Sequence, residues 1–168
     1  MAGNKLARFI RHRLWDEADA RRALPREALA RLAARVAASE LTHSGQIRIC
    51  VEASLPLRYL RNNATPRQRA VVLFGKLGVW DTEHNNGVLI YLLLAERAIE
   101  LVADRGLHAQ AAVWPELVAR LSTALKQGEF EKGLNEAVDA VGALLAAEFA
   151  RAPDQAVRNE LSDEVLLL

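Results

Sequence analysis

The sequence predicts one helix-rich α/β domain around a small mixed sheet, and three observations predict it. Residues 45–53 alternate, with Ile47, Ile49 and Val51 on one side of a strand and Arg48, Cys50 and Glu52 on the other. Residues 88–95 form an unbroken apolar run of eight, the pattern of a strand covered on both faces. Amphipathic helical repeats lie before, between and after these strands, the order of a layered α/β fold.

In chain order, Leu6, Phe9, Ile10 and Leu14 recur at i, i+3, i+4 and i+8. They predict a first helix that buries this stripe, leaves its arginines in water and ends at Trp15. Pro25 suits a first helical turn and opens a second helix to about Glu40, with Leu29, Leu32, Ala33 and Val36 inward. After the first strand, Thr65-Pro66 reads as an N-cap and first-turn proline of a third helix through Val71, Val72, Phe74 and Leu77. Gly75 and Gly78 weaken its end near Trp80.

The polar loop 81–86 feeds the apolar strand, and Ala95-Glu96-Arg97 turns the chain into residues 98–103. There Ile99, Leu101 and Ala103 alternate with Glu100 and Val102, so the two strands form an antiparallel hairpin. A short helix is expected from Gly106, then helices from Pro115 to about Gln127 and from Glu129 to about Ala150. The last carries Leu134, Val138, Val141, Leu145 and Phe149 on one stripe. Pro153 ends the pattern, and the apolar end Val165-Leu166-Leu167-Leu168 is expected to fold back on its own core. The chain thus divides into a basic N-terminal helix (1–24), an α/β domain (25–152) and a C-terminal tail (153–168).

Composition narrows the classes. The 168 residues suit one hydrophobic core. The longest apolar run falls far short of the roughly 20 residues a membrane helix needs, so no span is expected. Lys5, Arg8, Arg11 and Arg13 interrupt the N-terminal apolar residues, which removes the h-region of a secretory signal, and a cytoplasmic location follows as the expectation. A single cysteine, Cys50, excludes an internal disulfide and a cysteine-rich zinc module, and its strand setting reads as buried rather than catalytic. The net charge of +1 argues against generic nucleic-acid binding. Residues 1–35 nevertheless hold nine Lys/Arg against four Asp/Glu, a net +5. That patch reads either as a solvated helical face or as a surface for an anionic partner.

No phosphate loop, GxGxxG, GxSxG or HExxH occurs, and His12, His43, His84 and His108 do not fall at ligand spacing on one helix. Chemistry is left to three loops. If the first two strands are parallel and the third returns antiparallel, one sheet edge gathers three segments. They are Glu40, Thr42 and Ser44; Asp81, Glu83, Asn85 and Asn86; and Asp104 with Arg105. Carboxylates with amide and hydroxyl oxygens are ligands for a hard cation such as calcium or magnesium. The alternative is a plain tight turn at Asn85-Asn86-Gly87 with Glu83 solvated.

The run LFGKLGVWDTEHNNGVLIYLLLAERAIELVADRGL resembles the TPM domain, the family named after a thylakoid lumen protein, a photosystem II repair protein and a nematode receptor modulator. Its most specific part is Asn85-Asn86-Gly87-Val88-Leu89-Ile90; Glu40-Leu41-Thr42 and the pair Gly128-Glu129-Phe130 and Gly133-Leu134 add to the likeness, which covers about residues 40–150. The resemblance implies a three-layer α/β/α sandwich, a cytosolic-type bacterial member, and a divalent cation, Ca2+ or Mg2+, held by Glu40, Asp81, Glu83, Asn85, Asn86 and Asp104. It implies a cation-binding or protein-interaction module, with a protein partner, or alternatively a weak metal-dependent acid phosphatase. In the phosphatase reading Asp81, Glu83 and Asp104 hold the cation, Asn85 or Asn86 orients phosphate, Arg105 offsets its charge and His84 is the general acid. Where many relatives carry a further aspartate after the third strand, this chain reads Leu107-His108-Ala109-Gln110 and then Ala111-Ala112-Val113-Trp114.

Overall fold

The computed structural model describes residues 2–110, 113–152 and 158–168. Its seven helices are α1 (Ala2–Arg13), α2 (Glu17–Ala23), α3 (Arg26–Glu40), α4 (Leu57–Arg61), α5 (Pro66–Lys76), α6 (Trp114–Lys126) and α7 (Phe130–Glu148). The strands are β1 (Gln46–Glu52), β2 (Gly87–Leu93), β3 (Ala98–Ala103) and β4 (Leu166–Leu167). They form one mixed sheet in the order β3-β2-β1-β4, with β1 parallel to β2 and β4, and β2 antiparallel to β3.

The alternation in β1 separates two cores. Ile47, Ile49 and Val51 join Val88, Ile90 and Leu92 of β2 under α3, α6 and α7. Cys50 joins Leu89, Tyr91 and Leu93 under α5, with Tyr59 and Leu60 of α4 packed at the side. All seven residues of β2 are buried, as a strand covered on both faces must be. Each fully buried Leu or Ile there contributes about 1.5–3 kcal/mol of transfer free energy. The result is the three-layer sandwich, with the thicker helical layer on the α3/α6/α7 side.

Local chemistry sets the joints. Thr65 accepts from Gln68 N–H while the Gln68 side chain accepts from Thr65 N–H, a capping box ahead of Pro66. Asp16 and Asp19 do the same for α2. Residues 1–24 therefore hold two helices, not one, and Trp15 between them meets Phe130 edge-on at 6.3 Å. The short helix α4 was not visible in the pattern. The tail returns along β1: Leu168 N–H donates to Val51 O, and Ala53 N–H to Leu168 O.

One expectation fails outright. Leu6, Phe9, Ile10 and Leu14 are 61%, 38%, 49% and 73% exposed, so α1 turns its apolar stripe to water and its charged edge to the body. The reason is Glu96, in the turn after β2. Arg8 Nε and His12 Nε2 lie 2.7 and 2.8 Å from its Oε1, and Leu55 N–H donates to His12 Nδ1. That last bond leaves the ring proton on Nε2, facing Glu96. Burial alone would raise the Glu96 carboxyl, but the hydrogen bonds from His12 and Arg8 outweigh it and hold it low.

No helix among the described residues is long and apolar enough to cross a membrane. The expected stop at Pro153 and the variant segment at 111–112 lie outside the described residues; α7 ends at Glu148.

Candidate functional site: a loop edge at the strand entries

In the parallel register Gln46 stands opposite Gly87, so the entries to β1 and β2 coincide, and Asp104 N–H donates to Gly87 O as β3 leaves. Three loops therefore meet at one edge. Two glycines permit the approach: a Cβ on Gly87 would lie 2.0 Å from Val79 O, and one on Gly106 2.4 Å from Asn85 O. The 81–86 loop is held by Thr82, whose hydroxyl accepts Asn86 N–H at 3.0 Å and whose carbonyl accepts Asn85 N–H. Asn85 takes the left-handed conformation, with φ of 52°.

Asn85 Oδ1 accepts from Arg105 Nε and Nη2, at 2.9 and 2.8 Å. Asn86 Nδ2 donates to Ser44 Oγ at 3.3 Å, while Asn86 Oδ1 is buried with no partner among the described residues. Asp104 Oδ1 accepts Arg105 N–H at 2.7 Å, and its Oδ2 is likewise buried and unpartnered. An unpaired buried acceptor costs about 1–3 kcal/mol, so each of these two oxygens marks a place that lacks a partner. A cleft of about 410 Å³ opens beside Asp104, lined also by Arg67, Glu100, Leu107 and Trp114.

Two of the other expected ligands, Glu40 and Glu83, are engaged by other groups. Glu40 turns inward and accepts Ile47 N–H at 2.8 Å; burial pushes its carboxyl up to about 7, with Asp163 adding and the Ile47 bond and Arg151 opposing. Glu83 accepts from Arg158 at 2.8 Å, and its N–H donates to Glu160 Oε2. Asp81 is exposed, as is His84. Thr42 Oγ1 donates to Ser39 O. Among the described residues no group of three or more His, Cys, Asp or Glu is placed to hold a metal. Of the six, Asn86 and Asp104 each have a buried side-chain oxygen with no partner among the described residues. Burial also pushes the Cys50 thiol up to about 12, which leaves it protonated.

Sequence reasoning expected the apolar end of the tail to fold back but missed how residues 158–161 are held. Gln46 Oε1 accepts Glu160 and Leu161 N–H, and its Nε2 donates to Arg158 O, so one side chain anchors residues 158–161 across this edge. It also missed Arg151, which donates to His43 O and leaves Nε and Nη1 buried with no partner among the described residues. His43 donates from Nδ1 to Gly45 O, so its Nε2 accepts from Ser39 Oγ at 3.0 Å, and burial lowers its pKa and keeps it neutral. A single Gln at a strand start or Arg after a helix carries no pattern that would have pointed to these contacts.

A family model described as the TPM domain matches residues 18–144. Among solved structures, the NMR structure of BA42 protein from the psychrophilic bacterium Bizionia argentinensis is similar, with a TM-score of 0.73 at 24% identity, covering 86% of this chain and 94% of that one. No curated protein matches the chain.

Proposed function

The chain belongs to the TPM domain family, and from that premise we propose that the loop edge is a weak divalent-cation site of a binding module, with Asn86 Oδ1 and Asp104 Oδ2 as its protein ligands. The observation that carries this is the pair of buried, unpartnered oxygens. A neutral amide oxygen and a carboxylate oxygen suit Ca2+ or Mg2+, which take oxygen ligands and complete their shells with water. With one anionic ligand the site is weak, since affinity follows ligand charge count and site rigidity. Asn85 is left out of the ligand set because Arg105 occupies its one side-chain oxygen, Glu40 because it faces the Ile47 N–H in the interior, and Glu83 because its charge is paired with Arg158. The acid-phosphatase alternative would require Glu83 as a ligand of the cation, and its pairing with Arg158 favours the binding reading over it.

The test is a melting curve against calcium. For a dissociation constant of ~1 mM, about 10 mM calcium stabilises the folded state by about 1.4 kcal/mol, a rise of roughly 3–6 °C. The rise is expected to vanish in Asp104→Asn and to persist in Glu83→Gln. No rise in the wild-type chain, or an equal rise in Asp104→Asn, overturns the assignment.

A further inference from the structure

Helix α1 is mounted the opposite way round from an ordinary surface helix. Arg8 and His12 dock it, through Glu96, Ala64 O and Leu55 N–H, and these are charged or polar contacts. At 100° per residue, Leu6, Phe9, Ile10 and Leu14 fall within an arc of about 140° on the opposite side. All four are exposed. Lys5 and Arg11 border this arc, and Arg13 lies on it; all three are exposed, and no acidic residue occurs in α1.

The neighbouring segment continues the same character. Leu55 and Asn63, both bonded to α1, bracket α4, which presents exposed Leu57, Arg58 and Arg61. From Ser54 to Trp80 the chain contains no Asp or Glu. An apolar stripe bordered by cations and free of anions is the chemistry of the boundary between acyl chains and anionic headgroups.

We propose that α1, with α4 beside it, docks on an anionic lipid surface. The stripe Leu6, Phe9, Ile10 and Leu14 enters the acyl boundary. Lys5 and Arg11 contact headgroup phosphates, and Arg13 extends its stem through the apolar layer to reach them. Charge separates this occupant from the others. Two copies meeting face to face would set these cations against one another, as an isologous contact requires. A nucleic acid would use the cations but leave an aliphatic stripe that offers no stacking surface.

The test is co-flotation of the full chain with vesicles. The chain is expected to float with vesicles of phosphatidylglycerol and phosphatidylcholine, to stay behind with phosphatidylcholine alone, and to release as salt is raised from ~0.1 to ~1 M. Lys5→Gln with Arg11→Gln should lower the partition roughly 30-fold, at about 1 kcal/mol for each charge. Ile10→Ser with Leu14→Ser should abolish it, with melting unchanged because both positions are exposed. Failure of the wild-type chain to float, or flotation of the serine variant at the wild-type level, overturns the proposal. A concentration-dependent dimer that the serine variant dissolves, without flotation of the wild-type chain, reassigns the face to a second copy.

Discussion

Replacing Glu40 with glutamine separates a buried structural carboxyl from a metal ligand. Glu40 is 3% exposed and accepts one backbone N–H, from Ile47. Burial pushes its carboxyl from an ordinary 4.5 to about 7, so the fold favours the protonated form. Its contribution is therefore complete below pH 4.5 and is lost progressively as pH rises through 7. A rise from 4.5 to about 7 corresponds to roughly 3.4 kcal/mol at most. Glutamine keeps an oxygen for the Ile47 N–H and carries no charge to desolvate. Glu40→Gln should match the wild-type chain near pH 4.5 and exceed it by up to ~3 kcal/mol at pH 8, a melting difference of roughly 7–14 °C. Urea denaturation of both proteins from pH 4.5 to 8 measures this. Taking the difference cancels the opposite trend from His43, whose lowered pKa makes stability fall as pH drops. A difference independent of pH, or a variant less stable than wild type at pH 8, refutes the reasoning.

The buried cluster on the other face of the sheet gives a second expectation. Glu52 accepts from Arg69 Nη2 at 2.6 Å and from Tyr91 Oη at 2.7 Å, all three residues buried. Arg69→Met should cost about 3–5 kcal/mol by stranding the carboxylate. Adding Glu52→Gln should recover more than ~1 kcal/mol of the summed single losses, and simple additivity in a denaturation cycle would disprove the coupling. The glycines give a contrasting pair. Gly87→Ala drives a Cβ into the Val79 carbonyl and should exceed the ~1–3 kcal/mol of ordinary overpacking. Gly75→Ala, with open space around it inside α5, should gain ~0.5–1 kcal/mol by the same measurement.

What the sequence made legible follows from how local each signal is. Burial of β2 on both faces and the division of β1 between two cores are written into consecutive residues, and the Thr65-Pro66 cap into four. Amphipathicity in α1 shows that the helix has two faces but not which one docks. That was decided by Glu96, a residue 84 positions beyond His12. That loop 81–86 and Asp104 meet at one sheet edge was readable, because polar residues flanking strands gather at sheet edges. The inward turn of Glu40 was not readable, because the N–H it satisfies belongs to the next strand. The grip of Gln46 on residues 160–161 joins positions more than a hundred apart and leaves no periodic trace.

The pairing of β4 with β1 has a consequence for biosynthesis. Cys50 and Val51 find their outer partners at Leu166 and Leu167, so the sheet cannot be completed until residues far downstream have left the ribosome. At ~5–20 residues per second this interval lasts roughly 6–23 s. Throughout it the outer edge of β1 presents unpaired backbone N–H and carbonyl groups, the surface on which strands of other nascent chains add. A chain stalled between α7 and β4 would hold most of its core with that edge open, making it a substrate for chaperones rather than a finished domain.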